Sequence, residues 1–402
     1  MKILMVNKFL YPRGGAETYM LKLGEELQNL GHSVEYFGMY DEKNTVGNSL
    51  GLYTYNMDFH STGAERFLYP FKIIYSVEAE RKIGKVLDHF KPDIVHMNNI
   101  NFQLTPSIIY AIKKRNIPLV QTVHDYQMIC PNHLMYRFGE ATICEKCVNG
   151  SKWNCFKHSC IHGSKVKSLL GTIEAKLYAF LKTYDLVDLY VCPSDFLAKK
   201  LLKGSSLYKG KTFTVHNFIE RKFVPTKMEN QEPYIAFAGR LSMEKGIDLL
   251  AETARKLPQY RFEIAGSGPD GDCLNNIPNV ELKGFMTGAA LTDFMANARL
   301  LVVPSVWYEN CPLSILEAQS MGVPVITMDC GGMAELVQSG ENGYLVSDTT
   351  VEALSAVLQK CMDEDYYKTL KANCEALADS IIGVREYCQI LIEKYEELLA
   401  QR

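Results

Sequence analysis

The chain has 402 residues, of which 47% are hydrophobic and 22% charged, and its formal net charge is −3. This is a globular composition of two-domain length, and it gives no global electrostatic case for a nucleic-acid partner. No apolar run approaches the ~18 residues of a membrane span, and the opening MKILMVNKF turns polar too early for a signal peptide, so the twelve cysteines are expected to be reduced thiols in a cytoplasmic protein.

Residues 2–6 read as a strand buried on both faces. A loop containing Gly14 and Gly15 follows, then a helical pattern over 16–30 with Tyr19, Met20, Leu23, Leu27 and Leu30 on one face. A strand over 33–37 completes a β-α-β opening, with the glycine loop at the strand's carboxyl end, where open α/β sheets bind ligands. Residues 41–75 are aromatic and irregular and read as loops and short helices. Strands are expected over 93–97 and 119–123. The first ends on Asn98 and Asn99, and the second delivers His124 and Asp125. A histidine at such a strand terminus is a candidate for the active site.

Residues 130–162 form a cysteine-rich insertion. Cys144 and Cys147 make a C-x2-C pair, followed by Cys155 and Cys160, with Cys130, His133, His158 and His162 nearby. Four thiolates can close a tetrahedral structural zinc site; the alternative is a set of reduced thiols in a long loop. Between 151 and 227, fourteen Lys or Arg stand against five Asp or Glu, a local net of +9. A stripe of Leu169, Ile173, Leu177, Phe180 and Leu181 runs through this stretch. It fits either a solvated amphipathic helix or a surface resting on anionic lipid.

Strands over 189–193 and 213–216 close the first domain, and 217–233 reads as a linker. The second domain opens with a strand over 234–238 and then GRLSMEKG, in which Arg240 and Lys245 can converge on a diphosphate without a metal ion. Gly266, Gly268 and Gly271 spell G-x-G-x-x-G, but prolines and asparagines follow where a dinucleotide fingerprint needs a helix, so the stretch reads as a loop beside a nucleoside. Phe285 and Met286 could flank its base. An apolar strand over 300–303 precedes PSVWYENCPLSILEAQSMGVPV. Here Glu309 stands in the loop and Glu317 on a helix over 313–321, both able to reach one ligand. The amides from Asn310 through Cys311 and Pro312's neighbour Leu313 belong to a helix start, which suits an anion. Asp363–Asp365, a D-x-D, lies among C-terminal helices and is not read as a metal motif.

The second-domain residues carry a specific resemblance. Pro304, Ser305, Glu309, Pro312, Glu317, Ala318, Gly322, Pro324 and Val325 match the Glu-x7-Glu frame of the retaining glycosyltransferases of family 4, and Arg240 and Lys245 match its second element. The resemblance implies an α/β GT-B fold: two Rossmann-like α/β/α domains facing across a cleft. An acceptor-side domain would span 1–218 and a nucleotide-sugar domain 219–382, with a helix over 383–402 crossing back to the first. It implies transfer of a sugar from a UDP- or GDP-sugar, with retained configuration and no catalytic metal, to a glycan, glycolipid or lipid-linked acceptor, at a peripheral membrane position and with no nucleic acid. Glu309 would hold hydroxyls of the donor sugar and Glu317 the ribose. Arg240 and Lys245 would stabilise the departing diphosphate, and His124 would contact the transferred sugar. Gly14 and Gly15 would line the donor phosphates, and Gly268, Met286 and the 310–313 segment the donor. The competing readings are another enzyme on the same fold, a phosphorylase or an epimerase, and a non-catalytic nucleotide-sugar binder.

Overall fold

The computed structural model describes residues 1–55, 73–220, 226 and 232–402. The middle of the aromatic 41–75 stretch and most of the expected linker lie outside the described residues. The chain divides into two compact units. One comprises Met1–Met135, Cys144–His216 and Val384–Arg402; the other comprises Tyr136–Ile143 and Asn217–Gly383. The cysteine-rich insertion is thus divided: the hairpin of β5 (Tyr136–Arg137) and β6 (Thr142–Ile143) groups with the second unit and its cysteines with the first.

The first unit is built on a six-stranded sheet in the order β2-β1-β3-β4-β7-β8, all parallel: β1 Lys2–Val6, β2 Ser33–Phe37, β3 Ile94–Met97, β4 Leu119–Thr122, β7 Leu189–Cys192 and β8 Thr212–Thr214. β3 and β4 are buried at every residue, as expected of a parallel sheet covered by helices on both faces. The helix Gly15–Asn29 follows β1, and the helix Val384–Ala400 packs on it.

The second unit has the order β11-β10-β9-β12-β13-β14, again all parallel: β9 Tyr234–Ala238, β10 Arg261–Ala265, β11 Val280–Gly284, β12 Leu300–Val303, β13 Val325–Met328 and β14 Gly343–Val346. In the unit's own count this is 3-2-1-4-5-6, the doubly wound order whose direction reverses between its first and fourth strands. Asp363 caps the helix Glu364–Leu377 by accepting from the Tyr366 amide at 3.1 Å, so the D-x-D sequence serves a helix start. No described helix is long and apolar enough to cross a membrane.

The helix Lys165–Phe180 departs from ordinary amphipathicity. Its buried residues are Ser168, Gly171, Thr172, Glu174 and Tyr178, while Val166 is 68% and Phe180 84% exposed. Of the expected apolar stripe, Leu169 and Leu177 are half-buried, and Ile173, Phe180 and Leu181 face outward. Glu174 is only 3% exposed and its Oε1 has no hydrogen-bond partner among the described residues. Burial pushes its carboxyl up to about 8 from the ordinary 4.5. The folded chain therefore keeps a proton there that the unfolded chain releases, so stability falls as pH rises from 4.5 toward about 8. Glu174→Gln should remove that slope. At pH 8 the variant should be more stable than the parent by about 1–3 kcal/mol, with little difference near pH 4.5. Denaturant melts across this range check it, and parallel stability curves would contradict it.

Candidate active site

In the second unit, the reversal of strand order falls between β9 and β12, and the loops leaving their carboxyl ends lie side by side. Gly246 takes φ 72°, and a Cβ there would sit 2.0 Å from the Pro304 carbonyl oxygen. Only glycine permits this approach of the two loops. The Val306 amide donates to the Glu244 carbonyl at 3.0 Å, joining the loops further. Gly331, at φ 66°, presses against the Glu309 backbone from the other side, and the Gly332 amide donates to the Glu309 carbonyl at 2.7 Å. The backbone of Glu309 is thereby held between two close approaches.

Its side chain is buried and heavily bonded. Lys245 Nζ donates to Oε1 and forms an ion pair with it. Ser305 Oγ and Trp307 Nε1 each donate to the same oxygen at 2.9 Å. Oε2 receives no donor among the described residues. Burial opposes ionisation of Glu309, but the Lys245 charge and these hydrogen bonds prevail and hold its carboxyl below the ordinary range. The Lys245 ammonium also lies 5.4 Å from the Trp307 ring centroid. The arrangement is a fixed carboxylate with one oxygen satisfied and one available.

The remaining predicted residues of this unit fall around that centre in different ways. Arg240 is exposed on the loop after β9, with no ion-pair partner among the described residues. Gly268 rests against the Leu241 backbone, which explains the glycine in sequence. A 3-10 helix, Gly271–Leu274, stands where a dinucleotide fingerprint needs an α-helix. Phe285 is 77% exposed and Met286 half-buried after β11. Asn310 follows Glu309. Cys311 is buried, and its carbonyl accepts from Asn217 Nδ2 at 2.9 Å. Pro312 occupies the N-cap position of the helix Leu313–Ser320 without a capping side chain, and Leu313 is the helix's first residue. Glu317, on that helix, is half-buried, and burial together with the Glu220 charge raises its carboxyl above the ordinary range. No hydrogen bond joins Glu317 to Glu309 among the described residues.

In the first unit, the polar residues gather at the carboxyl ends of β1, β3 and β4. Gly14 is the extended N-cap of the helix that starts at Gly15, and the space where a Gly15 side chain would stand is open. Asn7 Oδ1 accepts from the Asn99 amide at 2.9 Å, joining the ends of β1 and β3. His124 follows β4, and its Nε2 lies 2.9 Å from Asn98 Oδ1. With Asn98 oriented so, the imidazole donates from Nε2, leaving Nδ1 as the unprotonated nitrogen. Burial lowers the His124 pKa to about 4 against the opposing charge of Asp125, so the ring is neutral at pH 7. Lys8, Asn101 and His133 complete the group, and none is apparent as a set in the sequence. Asn101 Nδ2 reaches Asp125 Oδ2 at 3.5 Å, and His133 stacks on Phe102 with ring centroids 4.8 Å apart. Burial lowers the Lys8 pKa, with Asp125 and Glu17 opposing.

No three His, Cys, Asp or Glu side chains among the described residues are placed to hold a metal ion. Cys147 and Cys155 are buried, Cys144 and Cys160 half-buried, and the Cys155 thiol pairs by hydrogen bonding with Cys160. Cys130 turns instead to Asn132 Oδ1, at 2.9 Å. The Lys152 ammonium enters the segment, donating to the Ile129 carbonyl at 2.5 Å and the Cys147 carbonyl at 2.9 Å. Burial pushes the Cys147 thiol up to about 11 and that of Cys130 up to about 12, so both are protonated. Of the nearby histidines, His133 belongs with Phe102 and Asp125, and His158 Nε2 lies 3.3 Å from Lys146.

Two six-stranded parallel Rossmann-like units, with a carboxylate and cations at one switch point, define a GT-B protein. The profile described as Glycosyltransferase Family 4 matches residues 13–223, and that described as Glycosyl transferases group 1 matches residues 232–364. The chain belongs to glycosyltransferase family 4. It is 26% identical over 365 residues to an uncharacterized 42.6 kDa protein in the cps region of Klebsiella pneumoniae, covering 87% of this chain and 90% of that one. It is 27% identical over 225 residues to the O-antigen biosynthesis glycosyltransferase WbnH of Escherichia coli, covering 54% of this chain and 61% of that one. Its fold is similar to that of HepE of Anabaena in complex with UDP and glucose, with a TM-score of 0.68 at 18% identity, covering 98% of this chain and 99% of that one.

Proposed function

We propose that this glycosyltransferase moves a sugar from a nucleotide sugar, a UDP- or GDP-sugar, to a glycan, glycolipid or lipid-linked acceptor in polysaccharide assembly, with retained configuration. The observation that supports it most is the Glu309 carboxylate, whose Oε1 is fixed by Lys245, Ser305 and Trp307 while Oε2 receives no donor among the described residues. A carboxylate oxygen so held accepts hydroxyls of a donor sugar in one orientation. Arg240 and Lys245 supply the positive charge for a departing diphosphate, so that no divalent metal is needed. Glu317 takes the ribose, Gly14 and Gly15 leave room for phosphate, and the neutral His124 meets the transferred sugar. Similarity to an O-antigen enzyme and to a UDP complex supports the substrate class.

Arg240→Ala and Lys245→Ala should each lower kcat by about 10²–10³-fold, the usual cost of one preorganised contact to developing charge, with folding intact. Nucleoside diphosphate release from UDP- and GDP-sugars measures it, with EDTA in a parallel arm. Full turnover by either variant would refute that residue's role, and a strict need for added Mg2+ or Mn2+ would refute metal independence.

The cysteine-rich segment is proposed to bind structural zinc through Cys144, Cys147, Cys155 and Cys160. Closing four thiolates on one ion requires these side chains to rotate from the arrangement described above. Elemental analysis of reduced protein purified without chelators should then find about one zinc per chain. A content near zero would leave the thiols as hydrogen-bonded groups of the fold.

The membrane surface is proposed for the helix Lys165–Phe180. Its outward Val166, Ile173 and Phe180 stand among the exposed Lys165, Lys167, Lys176 and Lys182, an apolar and basic face suited to an anionic leaflet. Co-sedimentation should be stronger with anionic than with neutral vesicles and should weaken with salt. Equal, negligible binding to both would refute it and leave sugar transfer untouched.

A further inference from the structure

The first unit contains a polar chain in its dry interior that no step above uses. The helix Val384–Ala400 buries Tyr387, Cys388, Leu391 and Tyr395 on one face. Two of these bring a hydroxyl into the interior, where each needs a partner. Tyr387 Oη lies 2.8 Å from Tyr19 Oη, and Tyr19 Oη lies 3.1 Å from Thr122 Oγ1. Thr122 Oγ1 lies 2.7 Å from His96 Nε2, and His96 Nδ1 lies 2.5 Å from Tyr395 Oη. The chain leaves the last helix, crosses the helix Gly15–Asn29, β4 and β3, and returns to the last helix about two turns on.

Burial keeps His96 neutral, its pKa lowered to about 3. A neutral imidazole donates from one nitrogen and accepts at the other. With one hydrogen on each hydroxyl, the hydrogen bonds can all run in a single sense along the chain, each link polarising the next. Removing one hydroxyl interrupts that sense. The Tyr19 ring sits at the turning point. It meets the Tyr387 ring edge-on at 5.7 Å and 85°, and it meets the His124 ring edge-on at 5.0 Å and 73°.

We propose that Tyr19 and Tyr387 are positioning residues for His124. The hydroxyl chain from the last helix fixes the Tyr19 ring, and that ring together with Asn98 fixes the plane in which His124 meets the sugar. The proposal rests on the assignment of His124 to the reaction. Neither tyrosine touches substrate; both act through the imidazole.

The test uses the full chain with histidine rings labelled for NMR. Tyr387→Phe removes one hydroxyl and keeps the ring, Tyr395→Phe removes the other end of the chain, and Leu391→Ala is a packing control on the same helix face. Three quantities are read: the His124 ring resonances and their titration, kcat with KM for the donor, and the melting temperature. Tyr387→Phe should move the His124 resonances and lower kcat about 3- to 10-fold, the worth of one net hydrogen bond, with donor KM unchanged. Tyr395→Phe should do the same more weakly. Leu391→Ala should lower the melting temperature and leave the His124 resonances in place. Unmoved His124 resonances and parental kcat in both tyrosine variants would overturn the proposal and assign the chain to packing alone. His124→Ala with parental turnover would instead overturn the role of His124, and the ring resonances judge the coupling independently of that result.

Discussion

The Glu309 carboxylate is a charge kept inside a folded unit, and much of the second unit's local sequence follows from keeping it there. An isolated buried carboxylate would take up a proton or draw in water. Lys245 prevents this, and the ion pair in turn requires the two switch-point loops to approach within reach of each other. Gly246 allows that approach against Pro304, and Gly331 and Gly332 hold the Glu309 backbone from behind. Ser305 and Trp307 direct the rest of the hydrogen bonding to one oxygen. Pro304, Ser305, Trp307, Glu309, Gly331 and Gly332 of this stretch thus serve a single desolvated ion pair and its scaffold.

The first unit solves the opposite problem at the carboxyl end of its own sheet. There burial keeps groups neutral: His96 and His124 are both uncharged imidazoles at pH 7. One half of the molecule maintains a fixed charge and the other a fixed tautomer.

The sequence made the strands plain because parallel strands buried on both faces are continuous apolar runs, as in Lys2–Val6 and Leu300–Val303. It made Glu309, Lys245 and His124 conspicuous because each stands just after such a run. The Tyr19–Tyr387 contact was not legible, since 368 residues separate partners whose spacing looks like ordinary core. Lys8, Asn101 and His133 were missed for the same reason: they come from separate loops and meet only when the sheet has formed. The cysteine spacing left zinc and reduced thiols both open, because it records how far apart thiols stand along the chain but not that Lys152 enters among them. The stripe on the helix 165–180 left a solvated amphipathic helix and a lipid-facing surface both open; the structure turns Ile173 and Phe180 outward, while Ser168, Thr172 and Tyr178 are buried and the Thr172 and Tyr178 hydroxyls donate to the Ser168 and Ile74 carbonyls.

The placement of the helix Val384–Ala400 has a consequence for how the protein comes into being on the ribosome. Synthesis runs through the first sheet, then the whole of the second unit, and only afterwards makes the helix that covers Tyr19 and His96. The second unit has all of its strands and can condense while its predecessor still waits, with unpaired hydroxyls and an uncovered helix face, for a segment not yet translated. The order of completion is thus the reverse of the order of translation, and the nascent first unit is the species that a chaperone or protease would meet.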